Sequence, residues 1–427
     1  MSRKGILVFL CIGLCGFAAE DFSKIKSGLE ALLKQRKYET AFQFLEGRDP
    51  NNENVEIALL KADLALKYFV KSIMHRTFCF KDLGPGETLD VLRESTGNFN
   101  GHLFEIDKVL ARLIEKHPQD GRLYKALGDF YYDVFLKYPE WEMEKAELAK
   151  RIKENYRRSL DDRLADGNVY YALGYLELLE NNFDQAIPLL EESLRQNGQN
   201  AEGHYNLAYA LLQKNDVEGV LKHAGRAGAL YQDKSKKADA FRMIGAACAE
   251  TGRTEEAIKS YETSLQIENN NYYSLKGLIP LYLKAEKYSE ALRYSVDLFR
   301  LDPKNPTVSQ DLLAIYLDVG GNHPDQLAKV FEELSAVFQN RDEELGNIYF
   351  HKAVLLQEIH DLKEARKSLE EAKRHFQKAL PKDHAVFKEI EKMLERLDKE
   401  TGIKTAFFTE TDYAGGSRKG VSRAGGR

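Results

Sequence analysis

The chain has 427 residues, 43% hydrophobic and 30% charged, which is enough apolar content to bury a sizeable core and argues against global disorder. Ten prolines and 30 glycines exclude collagen-like and Pro-rich architectures. The net charge of −5 argues against a general nucleic-acid binder, because that activity needs clustered positive charge to meet phosphates.

In chain order, the first segment reads as an address. Arg3 and Lys4 precede an apolar run from Gly5 to Ala19, with no further charge before Glu20. A short positive region, a short apolar region and small residues at its end are the parts of a signal peptide. The run falls short of the about 20 apolar residues that a helical membrane span needs. Gly16-Phe17-Ala18 offers a small-x-small cleavage site, so residues 1–19 are expected to be removed after Ala18 or Ala19. The expected location is the periplasm or cell envelope, with secretion as a further alternative. Cys15 leaves a lipoprotein alternative open, in which the chain is held on a membrane through an acylated N-terminus. Leu14 is a poor match there, since a small residue usually precedes such a cysteine. Cys79 and Cys248 are the cysteines left after residue 19, and they read as two buried thiols rather than a disulfide.

Residues 22–48 read as a helical hairpin. Residues 53–78 read as one long helix ending at His75-Arg76. Lys81-Asp82-Leu83-Gly84-Pro85-Gly86 breaks the chain, another helix is expected from about Glu87, and Gly97–Gly101 is a second loop before a helix over Phe104–Lys116.

From there a repeating frame takes over. The chain reads Tyr124-x-x-Leu127-Gly128-x-x-Tyr131, then Tyr170-x-x-Leu173-Gly174 and His204-x-x-Leu207-Ala208-x-x-Leu211. It continues as Phe241-x-x-Ile244-Gly245-x-x-Cys248, Leu275-x-x-Leu278-Ile279-x-x-Tyr282, Ser309-x-x-Leu312-Leu313-x-x-Tyr316 and Tyr349-x-x-Lys352-Ala353-x-x-Leu356. The steps from Gly174 to Ala208, from Gly245 to Ile279 and from Ile279 to Leu313 are each 34 residues. A second half repeats alongside, as Ala186-x-x-x-Leu190, Val220-x-x-x-Ala224, Ala257-x-x-x-Tyr261, Ala291-x-x-x-Ser295 and Ala365-x-x-x-Leu369.

This pattern resembles the tetratricopeptide repeat (TPR) family over roughly residues 119–380, and more weakly over 22–55. The resemblance implies an all-α fold, an α-solenoid of antiparallel helix pairs wound into a superhelix with a concave binding face. Periodicity supports it independently, because each unit carries two apolar stripes at i, i+3, i+4, i+7 spacing and one helix pair cannot bury its stripe alone. The expected organisation is an irregular helical block at 20–118, about seven units at 119–384, and a capping helix at 385–402 with Phe387, Ile390, Met393, Leu394 and Leu397 on one face. Residues 403–427 read as a basic, Gly-rich disordered tail. Ile279 and Leu313 replace the small residue of the frame, so their helix pairs are expected to sit further apart.

Chemistry is not visible in the sequence. No HExxH, CxxC, GxxxxGK or GxSxG motif occurs, so no enzyme activity, metal or cofactor is expected. An enzyme would have to use the 53–118 block, where His75, Asp82 and His102 are the candidate groups. Binding is expected instead. The resemblance places the first helix of each unit along the groove, which singles out Tyr171, Tyr175, Tyr205, Asn206 and Tyr209, then Arg242 and Lys276. Paired tyrosines offer apolar faces with hydroxyl tips, Asn206 can grip a peptide backbone bidentately, and the two cations favour an acidic segment. The function expected is a non-catalytic exported scaffold that binds a peptide or helical segment of an envelope protein. A self-associating structural protein, or a lipid-anchored accessory of a secretion or cell-wall machinery, is the alternative.

Overall fold

The structure is a computed structural model that describes residues 22–138, 141–320 and 323–401. The expected signal segment 1–19 with Cys11 and Cys15, the expected tail 403–427, and Gly321-Asn322 lie outside the described residues. Two compact units divide the chain, one reaching Tyr231 and one beginning at Gln232.

The first unit opens with α1 (22–34), α2 (Tyr38–Glu46) and α3 (Val55–Tyr68). The chain then does something the helical reading of 53–78 missed. After Tyr68 it forms β1 (Lys71–Ile73) and β2 (Thr77–Cys79), then α4 (Leu89–Glu94), β3 (Gly101–Leu103) and α5 (Ile106–Lys116). The strands make one antiparallel sheet in the order β1-β2-β3, with Ser72 opposite Phe78 and Phe78 opposite His102. The turn is closed by the Arg76 N–H donating to the Ile73 carbonyl, with Met74 and His75 both at positive φ, 49° and 51°. Such a turn suits the twist of a hairpin but is normally built from Asn or Gly. Here the side chain of His75 offsets the strain. It is fully buried among Phe69, Phe78, Phe130 and Tyr138, with ring centroids 4.5–5.7 Å away, and its Nε2 lies 3.1 Å from Asp133 Oδ2. A His75→Ala variant is expected to lose about 2 kcal/mol from this anchorage. Limited trypsinolysis should then cut faster at Lys71 and Arg76; an unchanged rate would mean that the sheet is held by other contacts.

The remaining helices of the first unit are α6 (Gly121–Lys137), α7 (Lys145–Asp161), α8 (Gly167–Leu179), α9 (Phe183–Gln196), α10 (Ala201–Gln213) and α11 (Val217–Leu230). They pair as α6–α7, α8–α9 and α10–α11. Side-chain caps start α6, α8, α10 and α11: Asp120, Asp166, Asn200 and Asp216 each accept from a backbone N–H two or three residues on. Asp166-Gly167 is therefore a helix start. The long step between Gly128 and Gly174 is taken up by longer helices and by the 138–144 connection. Trp141 of that connection packs on Phe130 and Tyr131, and its Nε1 donates to the Met74 carbonyl at 2.9 Å.

The second unit holds α12 (Lys234–Glu250), α13 (Thr254–Ile267), α14 (Tyr272–Lys284), α15 (Tyr288–Leu301), α16 (Pro306–Gly320), α17 (Pro324–Val337), α18 (Asp342–Glu358), α19 (Leu362–Ala379) and α20 (Ala385–Thr401). Hairpins α12–α13 and α18–α19 are tightly apposed, whereas α14–α15 and above all α16–α17 are the loosest of the array. Those two pairs carry Ile279 and Leu313 where their neighbours carry Gly or Ala. Helix α20 buries Phe387, Ile390, Met393 and Leu397 against Leu369 and Phe376 of α19. The fold is an all-α array of helix hairpins with one small sheet near its beginning.

Cys79 and Cys248 are both buried. Asp82 accepts from the N–H of Thr40 at 3.0 Å, and His102 packs its ring on Phe42 and Phe80. With His75 caged, the three polar candidates of the 53–118 block each make contacts that hold the fold together. Among the described residues no group of three or more His, Cys, Asp or Glu side chains is placed to hold a metal ion. No described helix is long and apolar enough to cross a membrane.

Candidate peptide-binding face

In the first unit, α6, α8 and α10 are the leading helices of successive hairpins and lie side by side. Their shared face is rich in phenols. Tyr171 and Tyr175, one turn apart on α8, are stacked with ring centroids 6.2 Å apart and an 8° interplanar angle. The Asn206 amide of α10 donates to the Tyr171 hydroxyl at 3.0 Å. This leaves the second amide hydrogen and the carbonyl oxygen of Asn206 for a partner. Tyr205 meets Tyr231 edge-on at 6.3 Å, and the Tyr231 hydroxyl donates to Glu202 at 2.9 Å. Tyr209 is 38% exposed, with its ring edge-on to Phe183 at 6.2 Å. Tyr171, Tyr175, Tyr205 and Asn206 are half-buried. The helices thus bring together all five candidates of this unit and leave them in reach of solvent.

Sequence reasoning missed the other half of the face. On α6, Lys125 and Asp129 occupy the positions that Tyr171 and Tyr175 hold on α8. Lys125 Nζ lies 3.0 Å from Asp129 and 3.3 Å from Asp166, the cap of α8. The Tyr156 hydroxyl of α7 donates to Asp129 at 2.9 Å. Burial raises the Asp129 carboxyl above its ordinary value, and Lys125 and Tyr156 pull it back only in part. Burial alone would lower Lys125, but Asp129 and Asp166 more than reverse it, so the ammonium is held charged. Burial likewise raises the Tyr132 and Tyr171 hydroxyls, with the neighbouring acidic and phenolic groups adding to it, so both phenols stay neutral at physiological pH. The frame that marks Gly128 carries a signal for Lys125 and Asp129, three positions before and one after it. Their ion pair follows from i, i+4 spacing.

Arg242 and Lys276 belong to the second unit. Arg242 pairs with Asp239 one turn back on α12 and lies 5.8 Å from the Tyr273 ring. Lys276 Nζ lies 2.9 Å from Asp311 of α16, which also accepts from the Tyr272 hydroxyl at 2.7 Å. Each cation has a carboxylate of its own, so the pull on an acidic segment is largely spent inside the unit.

The face can stack rings, accept and donate hydrogen bonds, and present one charge cluster. A model of the tetratricopeptide repeat family matches residues 177–240, and a second matches residues 238–271. No curated protein matches the chain. Among solved structures, YrrB, a TPR protein with an unusual peptide-binding site, is similar at 16% identity over 58% of this chain and 98% of its own, with a TM-score of 0.38. PilF of Pseudomonas aeruginosa is similar at 17% identity over 51% of this chain and 94% of its own, with a TM-score of 0.37. Naa15/Naa10 bound to HypK-THB is similar at 13% identity over 88% of this chain and 51% of its own, with a TM-score of 0.47. The family matches and the hairpins seen in the same stretch agree that residues 177–271 are tetratricopeptide repeats.

Proposed function

We infer that the protein is a non-catalytic, exported scaffold that holds an extended peptide or helical segment of an envelope protein on the face of α6, α8 and α10. Tetratricopeptide repeats are protein-interaction elements, which carries the general part of this reading. The particular part rests on one observation, the half-exposed cluster of Tyr171, Tyr175, Tyr205, Asn206 and Tyr209 on two adjacent leading helices. Aromatic side chains give contact area at low entropic cost and concentrate binding energy. The hydroxyl tips and the Asn206 amide suit the polar backbone of an extended chain. Export is supported by Arg3 and Lys4 ahead of the apolar run to Ala19.

The test is photo-crosslinking of the full chain in the envelope fraction, with a crosslinker in place of Tyr175. A Tyr205→Ala/Tyr209→Ala variant should weaken capture of the partner at least about tenfold, the loss of two modest aromatic hot spots. Its thermal unfolding should stay within a few degrees of the parent. Capture that survives the double substitution, or an envelope fraction that yields no adduct, sinks the proposal.

A further inference from the structure

The charge on the tyrosine face has a sign, and the sign bears on what the face holds. Lys125 Nζ lies 3.0 Å from Asp129 and 3.3 Å from Asp166, so two carboxylates share one ammonium. Among the described residues neither carboxylate pairs with a second cation. Their other partners are uncharged donors: the Tyr156 hydroxyl for Asp129, and the backbone N–H groups of Asn168 and Val169 for Asp166. The carboxylates also stand further out than the cation. The side chains of Asp129 and Asp166 are 36% and 50% exposed, that of Lys125 only 25%. A charge approaching from solvent therefore meets carboxylate first. Burial would raise the Asp166 carboxyl, but Lys125 and the two N–H groups more than reverse it, so Asp166 is ionised at neutral pH.

This excess of negative charge adjoins the phenols. Asp166 caps the helix that carries Tyr171 and Tyr175. Asp129 lies on α6 one turn before Tyr132, which stands close enough to Tyr171 and Tyr175 to feel both phenols. The face of an aromatic ring is itself electron-rich and attracts a cation. Rings and carboxylates side by side fit arginine better than lysine. A guanidinium stacks flat on a ring, forks onto a carboxylate and is less strongly hydrated than an ammonium. An acidic side chain in that place would set like charges together. An uncharged one would cover a carboxylate without supplying its counter-charge.

We propose that the segment held on α6, α8 and α10 is basic, and that one of its arginines stacks on the Tyr171–Tyr175 pair and donates to Asp166 and Asp129. The proposal rests on the reading of this face as a peptide site and adds the charge of the peptide. It is opposite in polarity to the acidic segment that Arg242 and Lys276 suggest from the sequence, since Asp239 and Asp311 already answer those two cations.

The test is selection of a random twelve-residue peptide library on the full chain, with the affinities of the selected peptides then measured by fluorescence anisotropy. The selected peptides should be enriched in arginine, and replacing that arginine by glutamine should weaken binding at least about tenfold. An Asp129→Asn/Asp166→Asn variant should weaken it as much. Both substitutions keep the structural bonds, because an asparagine oxygen still accepts from Tyr156 and asparagine caps a helix as well as aspartate does. Glu115→Gln/Glu154→Gln removes the same charge from exposed positions on α5 and α7 and should bind as the parent does. Selected peptides that need Tyr205 and Tyr209 but carry no basic residue, or that keep their affinity for the asparagine variant, overturn the charge assignment and leave the peptide-binding reading standing. Equal losses in the two charge variants trace the preference to the net charge of the protein and overturn the site. A library that yields no peptide overturns both readings.

Discussion

Gly128→Val is expected to lower the unfolding free energy of the first unit by about 3 kcal/mol, read as a reduced urea midpoint with an unchanged slope. A Cβ placed on Gly128 would lie 2.6 Å from two ring carbons of Tyr156. The usual escape, moving the neighbour, is closed. Tyr156 is 2% exposed, its ring is pinned by the core of α6 and α7, and its hydroxyl is tied to Asp129. Either the helices part or the hydrogen bond breaks. The same crowding stands at Gly245, whose Cβ would come 2.8 Å from the ring of Tyr261, and a Cβ on Gly277 would come 2.5 Å from Cζ of that ring. At Gly174 the neighbour is Leu190, at 2.8 Å, a side chain that can change rotamer. The expected ranking is thus Gly128 and Gly245 above Gly174. A loss below about 1 kcal/mol at Gly128 would show that α6 and α7 separate at little cost, and would contradict the account of why a small residue stands there.

These glycines are also why so much of the array was legible. A small residue recurring at fixed spacing is the imprint of two helices in close approach, and it survives in the sequence as Gly128, Gly174, Ala208 and Gly245. The turns left an imprint too: Asn181, Asn215 and Gly252, turn-forming residue types between the two helices of a hairpin, adopt positive φ. The hairpin of β1 and β2 left none. Met74 and His75 are not turn formers, and what holds them in that conformation is Asp133 and Phe130, more than 50 residues further on. The candidate site divides in the same way. Which residues share a face is a matter of helical period, and Tyr171, Tyr175, Tyr205, Asn206 and Tyr209 do share one. Whether a charge is balanced depends on the rotation between neighbouring hairpins, which the period leaves unspecified. Lys276 finds Asp311 on the leading helix of the next repeat. His351 belongs here as well: its burial beside Tyr316 emerges from the packing of α16 and α18.

Acidification from pH 7 to pH 4.5 should destabilise both units through histidines that the fold holds neutral. In the first unit, His204 Nδ1 and His223 Nδ1 face each other at 3.0 Å, and His204 Nε2 lies 3.3 Å from the Gly198 carbonyl. A carbonyl only accepts, so Nε2 of His204 carries the proton, its Nδ1 accepts, and His223 Nδ1 donates. Protonating His204 would set two N–H groups head to head. Burial, then the proximity of His204, pushes His223 down to about 4, and burial lowers His204 as well. In the second unit burial alone pushes His351 to about 4. A histidine whose folded value lies below the ordinary 6.5 binds fewer protons folded than unfolded between those limits. Its contribution is complete above about pH 6.5 and is lost as the pH falls toward about 4. For His351 the loss is at most about 3 kcal/mol, and for the half-buried His223 it is less, about 1–2 kcal/mol after solvent screening. The single Trp of the chain, Trp141, lies in the first unit, so its fluorescence isolates that unit during urea unfolding. A His223→Gln variant keeps an amide N–H to offer His204 but cannot take up a proton. It should reduce the acid-induced drop in the Trp141 midpoint by about half while leaving the midpoint at pH 7 nearly unchanged. A drop of the same size in parent and variant would mean that the His204–His223 pair is not what acid attacks.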